Sequence, residues 1–282
     1  MNFLFSVIYP GSKKFFDDFI NSVNIQTSKD FTLVLCLNGT NLNKKELNKI
    51  KVKYLLFKTN LDWRNARVKI LKKLLKLKSE YIIFADSDDI MSKLRIEISL
   101  KKIKKYKCDF ITNNIYLFGD EYRKKKIYLP FKNNFRIKLK DINDKNFVGC
   151  SNTIMKSRSL SKIIDDINIK LIGFDWCIAK LLILNKYKGF YIKNCLTFYR
   201  QHTQNNSRIL NISLKQKKFD LREKINHFKY FSQFGLNYEK KINKLKSVLN
   251  DNKILKKIKK KNYGGIIVCD FFLIMFLFLK NI

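Results

Sequence analysis

The sequence predicts an α/β fold, a mostly parallel sheet flanked by helices, followed by a basic helical extension. Three observations carry this reading. Apolar runs alternate with helical patterns four times over about ninety residues at the start of the chain. These runs are apolar on both faces, as parallel strands covered by helices must be. One run ends in Asp86-Ser87-Asp88-Asp89, and open sheets of this kind bind ligands beyond the carboxyl ends of their strands.

Taken in order, residues 3–9 read as the first strand, closed by Pro10-Gly11. Phe15, Phe16, Phe19, Ile20 and Val23 then share one helix face. Residues 31–37 form a second strand broken by Asn38-Gly39. A short polar helix over 43–50 leads to a third strand at 52–57. Ile70, Leu71, Leu74 and Leu75 mark the next helix, with lysines on its other side, and the buried strand opening at Tyr81 follows. Residues 92–106 predict a basic amphipathic helix and 109–118 another strand. The pattern weakens over 119–146 into a charged, loop-rich stretch with short strands. A strand at 152–156, a helix at 157–166, a helix over 173–185 and two short strands at 189–192 and 195–200 complete the α/β part. Residues 214–261 are lysine-rich and helical in pattern. The predicted organisation is therefore 1–209, a basic helical extension at 210–262, and a hydrophobic tail at 263–282.

The 282 residues are 46% hydrophobic and 14% aromatic, enough for one large domain with an appendage. Against 23 acidic residues stand 59 Lys and Arg, a formal charge of +36. That excess points to a polyanion, either an anionic membrane surface or nucleic acid. The basic residues are spread along the chain, and its Lys, Asn, Ile and Phe richness is what A/T-biased coding produces, so no specific nucleic-acid partner is expected. The six cysteines form no C-x-x-C pair, which speaks against zinc and disulfides and for a reducing compartment. The N-terminus lacks the basic start and long apolar core of a signal peptide, which predicts a cytoplasmic protein.

Three carboxylates crowd into four residues at the end of the Tyr81 strand. Like charges this close repel, and a divalent cation would offset them. A solvated turn capping the next helix is the other reading, with Asp a good cap. Asp175, in Gly173-Phe174-Asp175-Trp176, sits in a first helical turn, where it is either a general base or a favourable dipole contact. His202, one of two histidines, lies in the polar run Tyr199-Arg200-Gln201-His202-Thr203-Gln204-Asn205-Asn206-Ser207. It reads as a metal or diphosphate contact or as a satisfied structural residue. His227 carries no supporting pattern.

Four motifs in this order resemble glycosyltransferase family 2, enzymes of the Rossmann-like GT-A fold that use nucleotide-activated sugars. They are Ser6-Val7-Ile8-Tyr9-Pro10 with Ser22 to Thr27, the Tyr81–Asp89 strand end (similar to the family's D-x-D), Gly173–Trp176, and the Tyr199–Ser207 run. The resemblance implies an inverting transfer from a nucleoside-diphosphate sugar to a saccharide or lipid-linked acceptor, in bacterial surface polysaccharide synthesis. It implies a Mn²⁺ or Mg²⁺ ion held by Asp86, Asp88 and His202, and Asp175 as the base. Pro10, Asn38, Arg64, Arg67, Asp86, Ser87 and Asp88 are implied on the nucleotide sugar, and Trp176, Arg200 and Gln201 as orienting the acceptor. In Arg64-Asn65-Ala66-Arg67 either arginine suits a diphosphate, and a solvated cationic helix start is the alternative. Two departures stand out. Leu37 and Asn38 occupy the place of an acidic pair, and Phe174 stands where the family commonly has Glu. Asp89 is left to cap the next helix.

The tail from Gly264 to Leu279 is apolar apart from Asp270. As a helix it would be ~24 Å long against a ~30 Å hydrocarbon core, and Asp270 would add roughly 2.5–3.5 kcal/mol at the bilayer centre. A monotopic anchor behind Lys256, Lys257, Lys259, Lys260 and Lys261, peripheral at the inner membrane, is expected, with packing on the protein as the alternative. Two other function classes remain: a nucleotidyltransferase, which needs a phosphate loop near Tyr9–Lys14, and a non-catalytic basic membrane- or nucleic-acid-binding protein.

Overall fold

The computed structural model describes residues 1–119, 122–127, 131, 133–202, 205 and 213–257. Its first half runs β1 (Phe3–Ile8), α1 (Phe16–Asn24), β2 (Thr32–Asn38), α2 (Lys44–Leu47), β3 (Tyr54–Thr59), α3 (Trp63–Lys76) and β4 (Tyr81–Phe84). β1 pairs in parallel with β2 and with β4, and β2 in parallel with β3. The expected alternation is thus realised as a parallel half-sheet whose strand ends all face one way.

The chain continues through β5 (Ile90–Met91), α4 (Arg95–Lys105), β6 (Phe110–Gly119), β7 (Tyr122–Ile127), β8 (Phe135–Ile137), α5 (Leu139–Ile142), β9 (Thr153–Lys156), α6 (Ser157–Ser161), α7 (Phe174–Leu184) and β10 (Gly189–Arg200). The sheet order is β3-β2-β1-β4-β9-β6-β10-β5, with β7 on β6 and β8 on β10. β9 enters antiparallel between β4 and β6. β10 returns parallel to β6, so β3, β2, β1, β4, β6 and β10 share one direction.

Two local readings change. The strands expected at 189–192 and 195–200 are one strand, β10, whose register with β6 shifts between Ile192 and Leu196. Lys193 and Asn194 are exposed at this irregularity while Cys195 stays buried, and Lys193 N donates to Asn134 Oδ1 at 2.8 Å. β3 is an edge strand, and Tyr54, Leu55 and Leu56 stay exposed, unlike the interior strands the apolar pattern resembled.

Alternation along β1 sends Phe3, Phe5 and Val7 into one core and Leu4 and Ile8 into the other. α1 and α4 cover the second face, and α3 and α7 the first. The first core extends into α8 (Leu214–Ser232), α9 (Glu239–Asn250) and α10 (Asn252–Lys257). Leu221, Ile225, Phe228 and Phe231 of α8 lie on one stripe at helical spacing. The basic extension is therefore packed on the same core through α10. Among the described residues no helix is long and apolar enough to cross a membrane. Residues 263–282, where the anchor was expected, lie outside the described residues.

Burying the α7–α8–α9 junction encloses His227 and Lys180. His227, which carried no sequence pattern, stacks on Trp176 with ring centroids 3.7 Å apart. Burial lowers its pKa well below the usual histidine range. Lys180 is enclosed by the rings of Trp176, Phe228, Phe231 and Tyr238 at 4.7–5.4 Å. Its Nζ donates to Tyr238 Oη at 2.9 Å. Burial lowers its pKa from 10.5 to about 7, with Asp144 opposing and Lys241 and Lys224 assisting. The folded protein gives up this proton near pH 7 and the unfolded chain near 10.5. The penalty for the buried charge is therefore complete below pH 7, and stability rises from pH 7 toward 10.5. Lys180→Met is expected to flatten that rise and to increase the melting temperature at pH 7 by on the order of 2–4 °C. Calorimetry at pH 6, 7, 8 and 9.5 checks it, and an unchanged profile refutes it.

Candidate active site

The acidic turn leaves β4 alongside the end of β1, where Ala85 N donates to Phe5 O at 3.1 Å. Ser87 Oγ donates to Val7 O at 2.9 Å and shares a 2.8 Å hydrogen bond with Ser12 Oγ. These bonds pin the turn to the β1–α1 loop and leave its carboxylates to point three different ways. Asp86 Oδ1 accepts from Arg67 Nη2 at 2.6 Å, and its Oδ2 from Ser151 Oγ at 2.8 Å. Asp88 Oδ2 meets His202 Nε2 at 3.1 Å. Asp89 is buried, accepting from Arg200 N at 2.8 Å and sharing a hydrogen bond with Ser151 Oγ. Burial, then Asp88 and Asp86, push its carboxyl well above the usual carboxylate range. Asp89 does not cap α4. The residue before that helix is Leu94, with no side-chain cap bond, because Asp89 is turned inward to β10.

Arg200 holds this turn from outside. Its Nε donates to Asp88 O at 2.8 Å, its Nη2 pairs with Asp18 at 2.5 Å, and its guanidinium lies 4.4 and 4.5 Å from the Phe15 and Phe118 ring centres. The acceptor role that resemblance implied for Arg200, Gln201 and Trp176 is not what their surroundings fit. Gln201 is buried, with its backbone N–H donating to Phe118 O at 2.7 Å. Gly119 makes this close approach feasible: its φ is +119°, and a Cβ there would stand 2.4 Å from Gln201 O. Trp176 is 1% exposed and donates from Nε1 to Ile142 O at 2.6 Å. It packs beneath the site, since helical geometry turns it inward when Asp175 points outward.

A cavity of about 370 Å³ opens over the turn, and Asp86, Asp88, Asp175, His202, Arg67 and Tyr9 are among its walls. Asp175 Oδ1 accepts from Trp176 N at 2.7 Å and from Asn146 Nδ2 at 2.9 Å. Burial raises its pKa to about 6, the nearby Asp86 adds to the rise, and Trp176 N–H, Arg67 and Asn146 oppose it. A carboxylate poised there is well placed to take a proton near neutral pH.

The structure separates the two arginines. Arg67 lines the cavity, whereas Arg64 turns back to Asp62 at 3.0 Å and to Lys170 O at 3.2 Å. Asn38 does not face the cavity: its Nδ2 donates to Leu61 O at 2.9 Å and its Oδ1 accepts from Leu61 N at 3.1 Å. Pro10 is exposed beside the lining residues Tyr9, Gly11 and Ser12. Ser12 is spent on Tyr9 and Ser87, so this loop is not built as the phosphate cradle a nucleotidyltransferase needs. Sequence reasoning missed Ser151, Asn146, Phe219, Asp220 and Glu223, which all line the cavity. Single Ser and Asn residues carry no motif, and α8 read only as a lysine-rich helix.

Against known families, the model for glycosyl transferase family 2 matches residues 7–164. The chain belongs to glycosyltransferase family 2. The match contains the acidic turn, while Asp175 and His202 lie beyond it. No curated protein matches in sequence. Among solved structures, S. aureus TarS 1-349 in complex with UDP superposes with a TM-score of 0.55 at 15% identity, over 87% of this chain and 69% of that one. A mannosyltransferase, PcManGT from Pyrobaculum calidifontis, in complex with GDP-Man and Mn²⁺, gives 0.56 at 8% identity over 90% and 72%. At these identities the likeness is one of GT-A fold. The chain spans half of the longer TarS structure.

Removing the clamp on the turn of this glycosyltransferase has a predictable cost. Arg200→Ala deletes the bond to Asp88 O, the Asp18 pair and both ring contacts, and is expected to destabilise by about 2–3 kcal/mol. Urea denaturation measures it, and a loss under ~0.5 kcal/mol would show the clamp to be ornamental.

Proposed function

We propose that this enzyme is a metal-dependent inverting glycosyltransferase moving a sugar from a nucleoside-diphosphate sugar to a saccharide or lipid-linked saccharide, in bacterial surface polysaccharide synthesis. The observation that supports it most is the sharing of one cavity by Asp175, with its pKa at about 6, and the Asp86–Asp88 turn. In the proposed reaction Asp175 takes the proton of the acceptor hydroxyl. The hydroxyl oxygen forms a bond to the anomeric carbon as the bond to the diphosphate oxygen breaks. The nucleoside diphosphate leaves, and the configuration inverts.

A divalent cation fits part of the expected donor set. Among the described residues no group of three or more His, Cys, Asp and Glu side chains converges as a metal cluster. Asp88 and His202 do face each other across 3.1 Å, an oxygen and nitrogen pair suited to Mn²⁺. Asp86 is paired with Arg67 at 2.6 Å, a cation that already offsets its charge, and also accepts from Ser151 Oγ. Asp88 and His202 are thus the residues that would hold the ion, and Asp86 with Arg67 would face the nucleotide. When bound, the cation supplies Lewis-acid neutralisation of the leaving diphosphate. The neighbouring complexes with UDP and with GDP-Man and Mn²⁺ support a donor of this chemical class.

Three measurements test the reading. A thermal-shift panel of UDP, GDP and their sugars should show stabilisation by one nucleotide that depends on Mn²⁺ and is lost in Asp88→Ala. No shift with any nucleotide would sink it. Asp175→Asn should keep nucleotide binding yet lower kcat by about 10²–10⁴-fold. Because the base works ionised, wild-type kcat/KM should fall tenfold per pH unit below about 6 and level off above. A flat profile from pH 5 to 8 would exclude Asp175 as the base.

Membrane association belongs to the same proposal. Lys240, Lys246, Lys253, Lys256 and Lys257 are exposed on α9 and α10 and suit an anionic leaflet at roughly 1 kcal/mol per residue near the surface. The full chain should float with phosphatidylglycerol vesicles, and a chain ending at Asn262 should float less. Equal flotation would remove the tail from the account.

A further inference from the structure

The cavity has a second wall, built by α8, that no motif in the sequence announced. We propose that Glu223 and Phe219 of α8, with Trp63 at the start of α3, form the acceptor subsite, and that this subsite takes an uncharged saccharide. The inference rests on the glycosyltransferase reading above and goes beyond it by assigning the acceptor class.

Position comes first. Glu223 Oε2 accepts from Ile172 N at 3.3 Å, three residues before Asp175, and its Oε1 accepts from Asn226 Nδ2 at 3.3 Å. The carboxylate is thus tied to the loop that opens α7, the same loop that delivers the base. Each bond is long and uses one lone pair, so the remaining lone pairs can accept from sugar hydroxyls. On the other flank, Phe174 is buried and packs edge-on to Trp63, at 6.5 Å between ring centres and an angle of 69°. This contact steadies the Trp63 ring in the cavity wall. Phe219 lines the same cavity and is 38% exposed. Two aromatic surfaces and one hydrogen-bonding carboxylate are what a sugar ring needs, since it offers an apolar C–H face and a rim of hydroxyl donors.

Charge then narrows the class. The cavity is lined by the carboxylates of Asp86, Asp88, Asp175, Asp220 and Glu223, with Arg67 as the arginine among them. Arg67 is already paired with Asp86 at 2.6 Å, and Arg64, whose guanidinium lies 5.2 Å from the Trp63 ring centre, is paired with Asp62 at 3.0 Å. The chain as a whole carries +36 and attracts anions at long range, but a uronic acid brought to Glu223 would meet a like charge at contact distance. The local wall, not the net charge, selects the ring that reaches Asp175.

Saturation-transfer NMR with the full chain, Mn²⁺ and UDP or GDP tests this directly, using methyl hexosides and the matching methyl hexuronosides as probes. The neutral glycosides should show saturation of their ring protons, and the hexuronosides at least tenfold less. Glu223→Gln should weaken the neutral probes on the order of tenfold and narrow the gap between the two sets. Phe219→Ala should weaken both. In transfer assays the same substitutions should raise the acceptor KM far more than they lower kcat, with nucleotide affinity by calorimetry serving as the control for folding. Absence of signal from neutral glycosides, a preference for hexuronosides, or an unchanged acceptor KM in Glu223→Gln would each overturn the proposal. If the wild-type chain binds no nucleoside diphosphate, the glycosyltransferase mechanism itself fails, and the subsite with it. If it binds and transfers while the variants behave as wild type, the subsite alone is wrong.

Discussion

Three carboxylates leave the end of β4 within four residues, and the structure around them is arranged to offset their repulsion. Their partners come from three parts of the chain: Arg67 of α3 on Asp86, Ser151 on Asp86 and Asp89, and the end of β10, where His202 meets Asp88 and the Arg200 amide meets Asp89. Because these partners come from distant parts of the chain, satisfying the turn also fixes how α3, the loop before β9 and the end of β10 converge. Asp89 takes the inward place, where its raised pKa favours the proton-bound form and lowers the charge density of the cluster. Asp86 and Asp88 are left facing the cavity.

The same economy of position explains Asp175. It starts α7 with its carboxylate toward the cavity, while the next residue, Trp176, turns into the core and stacks on His227. The helix that carries Asp175 is therefore anchored by α8, and α8 also supplies Phe219, Asp220 and Glu223 to the cavity wall. Core and site are coupled through one element. The buried Lys180 beside Trp176 makes this junction sensitive to pH on its own account, separately from the ionisation of Asp175.

Legibility in the sequence followed the range of the interactions. β1, β2 and β4 were plain because an unbroken apolar run is a local pattern. β3 had the same pattern but lies at the sheet edge, which depends on strand order. The bulge in β10 was read as a gap between two strands, because Lys193 and Asn194 interrupt the apolar pattern without ending the pairing with β6. Arg64 and Arg67 were indistinguishable, since both open one helix and only the approach of Asp86 chooses between them.

By itself the sequence determined the strand–helix alternation, the acidic turn at a strand end, and a carboxylate in the first turn of a later helix. Periodicity and charge crowding are properties of neighbouring residues, so they survive without coordinates. Tertiary structure alone decided that Asn38 serves Leu61, that Trp176 and Gln201 are buried, that Arg200 clamps the turn, and that α8 closes the cavity. Each of these turns on which side chain another element brings within hydrogen-bonding distance. Contacts of that kind, between residues up to 182 positions apart, leave no trace in local pattern.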